Sequence, residues 1–168
     1  MVDKAEIEPV STGNRTTVER KSDREIVVTR TFDAPARLVY EAWTQSELLK
    51  QWWVPKSLGM TLISVDADVR PGGKYRLVFE YEGSTMDFFG KYLEVVPASR
   101  LSWTNDEGGD EGSVTTVTFE ETNGTTLLVM TETYPSKEAL EAAGGAADAT
   151  HETFAQLDEL LVSLAASQ

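Results

Sequence analysis

Cysteine is absent from this sequence of 168 residues, and histidine occurs once, as His151. Without cysteine there can be no disulfide, thiolate nucleophile or zinc–thiolate site. One histidine excludes a multi-histidine metal centre and a two-histidine acid/base pair. Long apolar runs are missing too; none reaches the roughly 20 residues of a membrane-spanning helix. Positive charge is scarce: 15 Lys and Arg stand against 28 Asp and Glu, a net charge of -13. Such a surface repels polyanions, so neither nucleic acid nor an anionic membrane is an expected partner. No phosphate-binding glycine loop, serine triad or metal signature occurs, and no cofactor is expected. The opening stretch MVDKAEIEPVSTGN is polar and does not read as a secretory leader. Taken together these absences point to the cytoplasm.

What remains is a chain of one-domain length whose apolar fraction, 40%, is enough for a core of its own. Residues 1–15 are polar and aperiodic and read as a disordered tail, leaving 16–168 as a single domain. From Glu25 to Phe32 the chain is rich in β-branched residues, as in a strand. Asp33 suits an N-cap, with Pro35 near the first helical turn, and Leu38, Val39, Ala42 and Trp43 recur at helical spacing. Thr44 or Ser46 is placed to cap a second short helix with Leu48, Leu49, Trp52 and Trp53, which Pro55 ends.

Strands follow. Met60 to Val69 leads into the turn Arg70-Pro71-Gly72-Gly73. Tyr75, Leu77, Phe79 and Tyr81 then alternate with Arg76, Val78, Glu80 and Glu82. Gly83-Ser84 reads as a turn, Met86, Phe88 and Tyr92 continue the alternation, and Gly90 marks a bulge or a close approach. Leu101 and Trp103 lie on a further strand, and Asn123-Gly124 closes a hairpin between Val114–Phe119 and Thr125–Thr133. Ser136 suits the cap of a short helix, Gly144-Gly145 interrupts, and a long helix runs to about Ala165. Its stripe is Ala147, Thr150, Phe154, Leu157, Leu161 and Leu164, with Asp148, Glu152, Glu159 and Ser163 outside. There is no βαβ alternation, so the class is α+β: an antiparallel sheet whose apolar face needs the last helix as its cover.

Several phrases resemble one family. Phe32-Asp33-Ala34-Pro35 with Val39 and Ala42-Trp43-Thr44, then Trp52-Trp53 and Pro55, look like its opening strand and two helices. Asp66 with Arg70-Pro71-Gly72-Gly73, and Gly90-Lys91-Tyr92-Leu93-Glu94-Val95-Val96-Pro97 with Arg100-Leu101, resemble its first turn and central strand. The sequence is similar, from about Arg24 onward, to the START-like (SRPBCC) superfamily, in the branch of the activator of heat-shock protein 90 ATPase homologues. This resemblance implies a helix-grip fold, a curved antiparallel sheet around a long C-terminal helix. Relatives often carry a Gly-Trp pair in that helix; here Glu152-Thr153-Phe154 stands in its place. The superfamily includes ligand binders, polyketide cyclases, chaperone activators and many bacterial proteins, so it implies fold more than function.

A sheet gripping a helix leaves room for a ligand, and such pockets are mostly apolar. The candidate lining residues are Trp53, Tyr75, Leu77, Phe79 and Met86 on one side. Phe88, Trp103, Met130, Phe154 and Leu157 complete the set. The plain alternative is that these side chains simply fill the core. Trp52 and Trp53 point about 100° apart on a helix, so one can be buried and the other stand at a cavity mouth. His151, Tyr75 and Tyr92 are the only plausible acid/base helpers of a cyclase-like enzyme, and would have to converge. Arg76, Glu80 and Asp87 read as outer-face charges, and Asp66 with Arg70 as an ion pair across a turn. The acidic run Asp106 to Glu111 reads as solvated surface, or else as a docking face for a basic protein. The expected function is non-catalytic binding of a small hydrophobic molecule by a monomer or weak dimer. A cyclase-like enzyme and a chaperone-interacting module are the alternatives.

Overall fold

Period-two patterning builds the sheet. In the computed structural model, which describes residues 16–106, 112–143 and 149–166, strand β2 (Glu25–Phe32) buries Ile26, Val28, Arg30 and Phe32 and turns the residues between them outward. Strand β4 (Lys74–Tyr81) buries Tyr75, Leu77 and Phe79 in the same way. With β1 (Thr17–Arg20), β3 (Thr61–Ala67), β5 (Ser84–Val96), β6 (Arg100–Asn105), β7 (Ser113–Thr122) and β8 (Thr125–Thr133), they form one eight-stranded curved sheet. Its order is β1-β2-β8-β7-β6-β5-β4-β3, and every neighbouring pair is antiparallel. Helices α1 (Ala36–Thr44) and α2 (Ser46–Trp52) and a 3₁₀ turn (Lys56–Leu58) fill the passage from β2 to β3. Helices α3 (Lys137–Ala142) and α4 (Thr150–Ala166) end the described chain.

The Asn123-Gly124 hairpin forms as its residues dictate: φ is +53° and +81°, a type I′ turn joining Thr122 to Thr125. The β4–β5 turn uses the same geometry at Glu82-Gly83, one residue before the expected Gly83-Ser84. Gly90 is a close approach: a Cβ there would lie 2.0 Å from the Thr104 carbonyl oxygen. The register shift of β5 falls elsewhere, between Tyr92 and Glu94.

Capping departs from the sequence reading. The N-cap of α1 is Pro35, not Asp33, and the Ala36 N–H donates to Glu121 Oε1 of β7 at 2.9 Å. Gln45 stands at the N-cap of α2, rather than Thr44 or Ser46. Ser136 does cap α3, accepting from the Ala139 N–H at 3.0 Å. Arg70 pairs with Asp68 at 2.8 Å instead of with Asp66, because the Arg70 N–H also donates to the Asp68 carbonyl and folds the two together. On the outer face Arg76 pairs with Asp87 and lies over the Phe89 ring. The tail 1–15, most of the acidic run after Asp106, Gly144-Gly145, Ala147 and Asp148 lie outside the described residues.

Helix α4 buries Phe154, Leu157, Leu160 and Leu161 and packs chiefly on α2, α1 and β2. One ion pair sets its position along the sheet. Arg30, on the inner face of β2, lies 3.4 Å from Asp158 and donates to Thr16 Oγ1 at 3.1 Å, while its Nε has no partner. Burial pulls the Arg30 guanidinium below its usual value and pushes the Asp158 carboxyl up, and their mutual attraction offsets only part of this. Such a pair adds little net stability, yet breaking it strands a buried charge. It therefore fixes register more than it holds the helix down.

Apolar burial holds α4 down. Phe154→Ala is expected to cost about 3–5 kcal/mol, through lost burial and the cavity left behind. Glu159 is exposed on the same helix, and Glu159→Ala should change stability by less than about 0.5 kcal/mol. Urea unfolding of the two variants checks this; the reverse order would mean that α4 presents its other face.

Candidate functional site

A cavity of about 440 Å³ opens between the sheet, the segment after α2 and the first turns of α4. Its apolar wall is made by Trp43, Trp52, Trp53, Phe88, Trp103, Met130 and Phe154, with Val54, Pro55, Leu58 and Met60 toward the rim. Small side chains leave the space. Thr115 and Ser113 form the floor on β7, and Thr150 and Thr153 face it from α4. Large residues at those four positions would close it.

The end away from the rings is polar. Asn105 donates to Thr115 Oγ1 at 2.9 Å and to Ser113 Oγ at 3.1 Å, and accepts from the Tyr75 hydroxyl at 3.3 Å. Its amide is therefore committed. Glu132 lies directly across the ladder from Thr115 and receives one hydrogen bond, from the Tyr134 hydroxyl at 3.1 Å. Desolvation raises the Glu132 carboxyl, and the Tyr134 bond opposes this only in part. Burial and the adjacent carboxylate also push the Tyr134 hydroxyl up. Glu132 is the one charged residue among the described residues lining the cavity. On the opposite wall the buried Trp43 indole Nε1–H has no partner.

The rim is tied to α4 by polar contacts. Gln156 donates to the Trp52 and Val54 carbonyls at 3.0 and 2.8 Å, and accepts from the Lys56 N–H at 2.9 Å. Glu152 accepts from the Ser57 N–H at 2.7 Å and hydroxyl at 2.5 Å, which lowers its pKa. Glu152 thus clasps the 3₁₀ turn and is not idle on the outer face.

Of the ten candidates, Trp53, Phe88, Trp103, Met130 and Phe154 come together around this cavity. Five do not line it. Tyr75 and Leu77 pack with Tyr92 and Leu49 around a void of only about 20 Å³, and the Tyr75 hydroxyl donates to the Thr104 carbonyl at 2.7 Å. Phe79 stacks on Phe88 at 4.8 Å between centroids and is covered by it. Met86 shares their face but sits near the tip of the β4–β5 hairpin, 46% exposed. Leu157 lies fully buried one turn beyond Phe154. Trp52 is buried and donates to the Ala42 carbonyl at 2.9 Å, while Trp53 is half-buried in the wall. His151 is exposed; it does not converge with Tyr75 and Tyr92. Sequence reasoning missed Glu132, although its parity with Leu128 and Met130 on β8 places it inward.

The raised Glu132 pKa fixes the sign of a pH effect. The folded state holds this proton more tightly than the unfolded chain, so the half-buried, partly desolvated carboxylate destabilises the fold above its folded pKa. That penalty vanishes as pH falls to the unfolded value of about 4.3. Glu132→Gln keeps an acceptor for Tyr134 and should raise Tm at pH 8, with the gain shrinking toward pH 4. Thermal melts of both proteins across that range provide the check; a gain that grows on acidification would contradict it.

A family model described as Activator of Hsp90 ATPase homolog 1-like protein matches residues 33–162. No curated protein matches the chain. Among solved structures, a Nitrosomonas europaea protein is 26% identical with a TM-score of 0.77, over 88% of this chain and 99% of that one. A Mycobacterium smegmatis protein is 25% identical with a TM-score of 0.75, over 89% and 99% of the two chains. An AHSA1-like protein from Aeromonas hydrophila, 17% identical with a TM-score of 0.65 over 80% and 93%, is alike in fold. The family match runs from just before α1, through all the cavity-lining strands, into the last turns of α4, and the chain belongs to the Activator of Hsp90 ATPase homolog 1-like family.

Proposed function

We propose that this protein binds a small hydrophobic molecule, without chemistry of its own, in the cavity between the sheet and α4. The fold is that of a ligand-binding or Hsp90 ATPase activator-like domain. The observation that carries the binding reading is the wall itself: all four tryptophans of the chain meet at one cavity of about 440 Å³, within the size range of small-molecule sites. A flat apolar ligand would gain on the order of 25 cal/mol per Å² buried. Trp53, half-buried in the wall and packed on Trp43, Trp52, Phe88 and Trp103, would offer a ring face to such a ligand. Cyclase-like catalysis draws no support from the helpers it would need, since His151 is exposed and the Tyr75 hydroxyl is spent on a carbonyl. Among the described residues no helix is long and apolar enough to cross a membrane, and a protein acting as a monomer or weak dimer suits the reading.

The family match favours a second reading, contact with a chaperone ATPase. A basic protein partner would suit the net charge of -13. Purified Hsp90 whose ATPase rate rises on adding this protein would support it and displace ligand binding as the primary role.

A neutral aromatic probe such as naphthalene, at a hundredfold excess over its Kd, should stabilise the fold by about 2.7 kcal/mol. At this chain length that raises Tm by roughly 5–10 °C. Thr153→Phe fills the cavity from α4 and should abolish the shift while the protein stays folded. An unchanged Tm with naphthalene, or a shift that survives Thr153→Phe, would overturn this assignment.

A further inference from the structure

On the reading that the cavity is a ligand site, we infer that its ligand is an arylalkyl amine, a fused-ring or aromatic body carrying a protonated amine that Glu132 receives. The cavity has one unspent acceptor with charge. Glu132 uses one oxygen for the Tyr134 hydroxyl, and among the described residues no lysine, arginine or histidine lines the cavity to meet the other. The neighbouring Asn105 amide is already taken up by Tyr75, Ser113 and Thr115. A ligand that brought its own carboxylate would meet Glu132 with a like charge and nothing to neutralise either. A ligand with an ammonium would find a partner for which a carboxylate in a desolvated site is the strongest kind of acceptor.

The spacing says how long the ligand is. Trp103 lies opposite Thr115, and Thr115 opposite Glu132, so the three form one row across β6, β7 and β8. Two strand spacings separate the indole from the carboxylate, about 10 Å. The side chain between them is the small Thr115, which lets a ligand lie along the row. A two-ring body against Trp103, Trp53 and Trp43 with an amine one carbon beyond it spans that distance. The indole faces favour the same charge, since ring quadrupoles attract cations. The net charge of -13 draws cations toward the protein before any contact forms.

Calorimetric titration with four probes of one shape tests this: naphthalene, 1-naphthylmethylamine, 1-naphthalenemethanol and 1-naphthoate. The amine should bind about ten-fold or more tightly than the naphthoate, with the alcohol between. Glu132→Gln should remove that preference, with thermal melts showing that the variant is folded. Equal binding of amine and naphthoate to the native protein overturns the inference, and so does a preference that persists in Glu132→Gln, the result expected if the acidic surface alone collects amines. In both cases naphthalene binding still stands and the cavity remains a ligand site. Binding of none of the four overturns the cavity reading, and this inference with it.

Discussion

Every layer of the molecule meets at the Trp43 indole. Its ring lies 4.8 Å from that of Trp52, 5.7 Å from Trp53, 5.9 Å from Trp103, 6.1 Å from Phe154 and 6.4 Å from Phe119. Those contacts join α1 to α2, to the middle of the sheet and to the underside of α4. Aromatic pairs at such separations add about 0.5–1.5 kcal/mol each beyond the area they bury. Without this hub α4 would still have a leucine stripe but no shaped surface to seat it. The same packing has a cost. The Trp43 Nε1–H is buried without an acceptor, and an orphaned donor of this kind forfeits about 1–3 kcal/mol. The fold holds its most connected side chain in place by rings and leaves that ring's polar atom unsatisfied.

The cavity follows from how the rings are distributed. They crowd the half of the concave face under Phe154, where Trp43, Trp52 and Phe32 touch it. The other half faces the first turn of α4, and there threonine, serine and alanine take over. A helix can sit only as close as its bulkiest contacts allow. The aromatic half therefore sets the height of α4, and the small-residue half is left underfilled at that height. Close packing is the rule in protein interiors, so an underfilled half bounded by closely packed rings is a consequence of side-chain choice along two elements.

The legible features were those whose cause is local. The Asn123-Gly124 turn, the β4 alternation, the Ser136 cap and the Phe154, Leu157 and Leu161 part of the α4 stripe each depend on residues within a few positions of one another. The missed features are made at a distance. The N-terminus of α1 is met by Glu121, 85 residues away, and the backbone after α2 by Gln156, 100 residues from Lys56. Local pattern cannot name such partners, and so Asp33, Thr44 and Ser46 looked like caps. The lining residues divide on the same line. Parity puts Met86 and Phe88 on one face, but only the tertiary position of the covering segments decides that Phe88 is roofed by Trp53 while Met86 stays exposed. Glu132 is different. Its inward parity is readable on β8, but a glutamate on a strand is ordinarily an outward residue, so residue type and parity point opposite ways.

Glu132 gains meaning from comparison with Arg30, a buried charge on the same face of the sheet. Arg30 on β2 stands opposite Leu128 of β8, four residues before Glu132 on the same strand face. At about 3.3 Å per residue the two are roughly 13 Å apart along the strands, too far to pair. The fold treats them differently. Arg30 is answered by Asp158 from α4 and by the Thr16 hydroxyl. Glu132 is answered only by the Tyr134 hydroxyl, a neutral donor. A sheet that carried inward charges merely as tolerated accidents would have no reason to neutralise one and leave the other at the end of an aromatic-walled cavity. A partly desolvated carboxylate with a single neutral donor is costly to hold in a fold, and Glu132 is such a group on the cavity lining. The asymmetry agrees with the proposal that a cationic ligand lies beside Thr115.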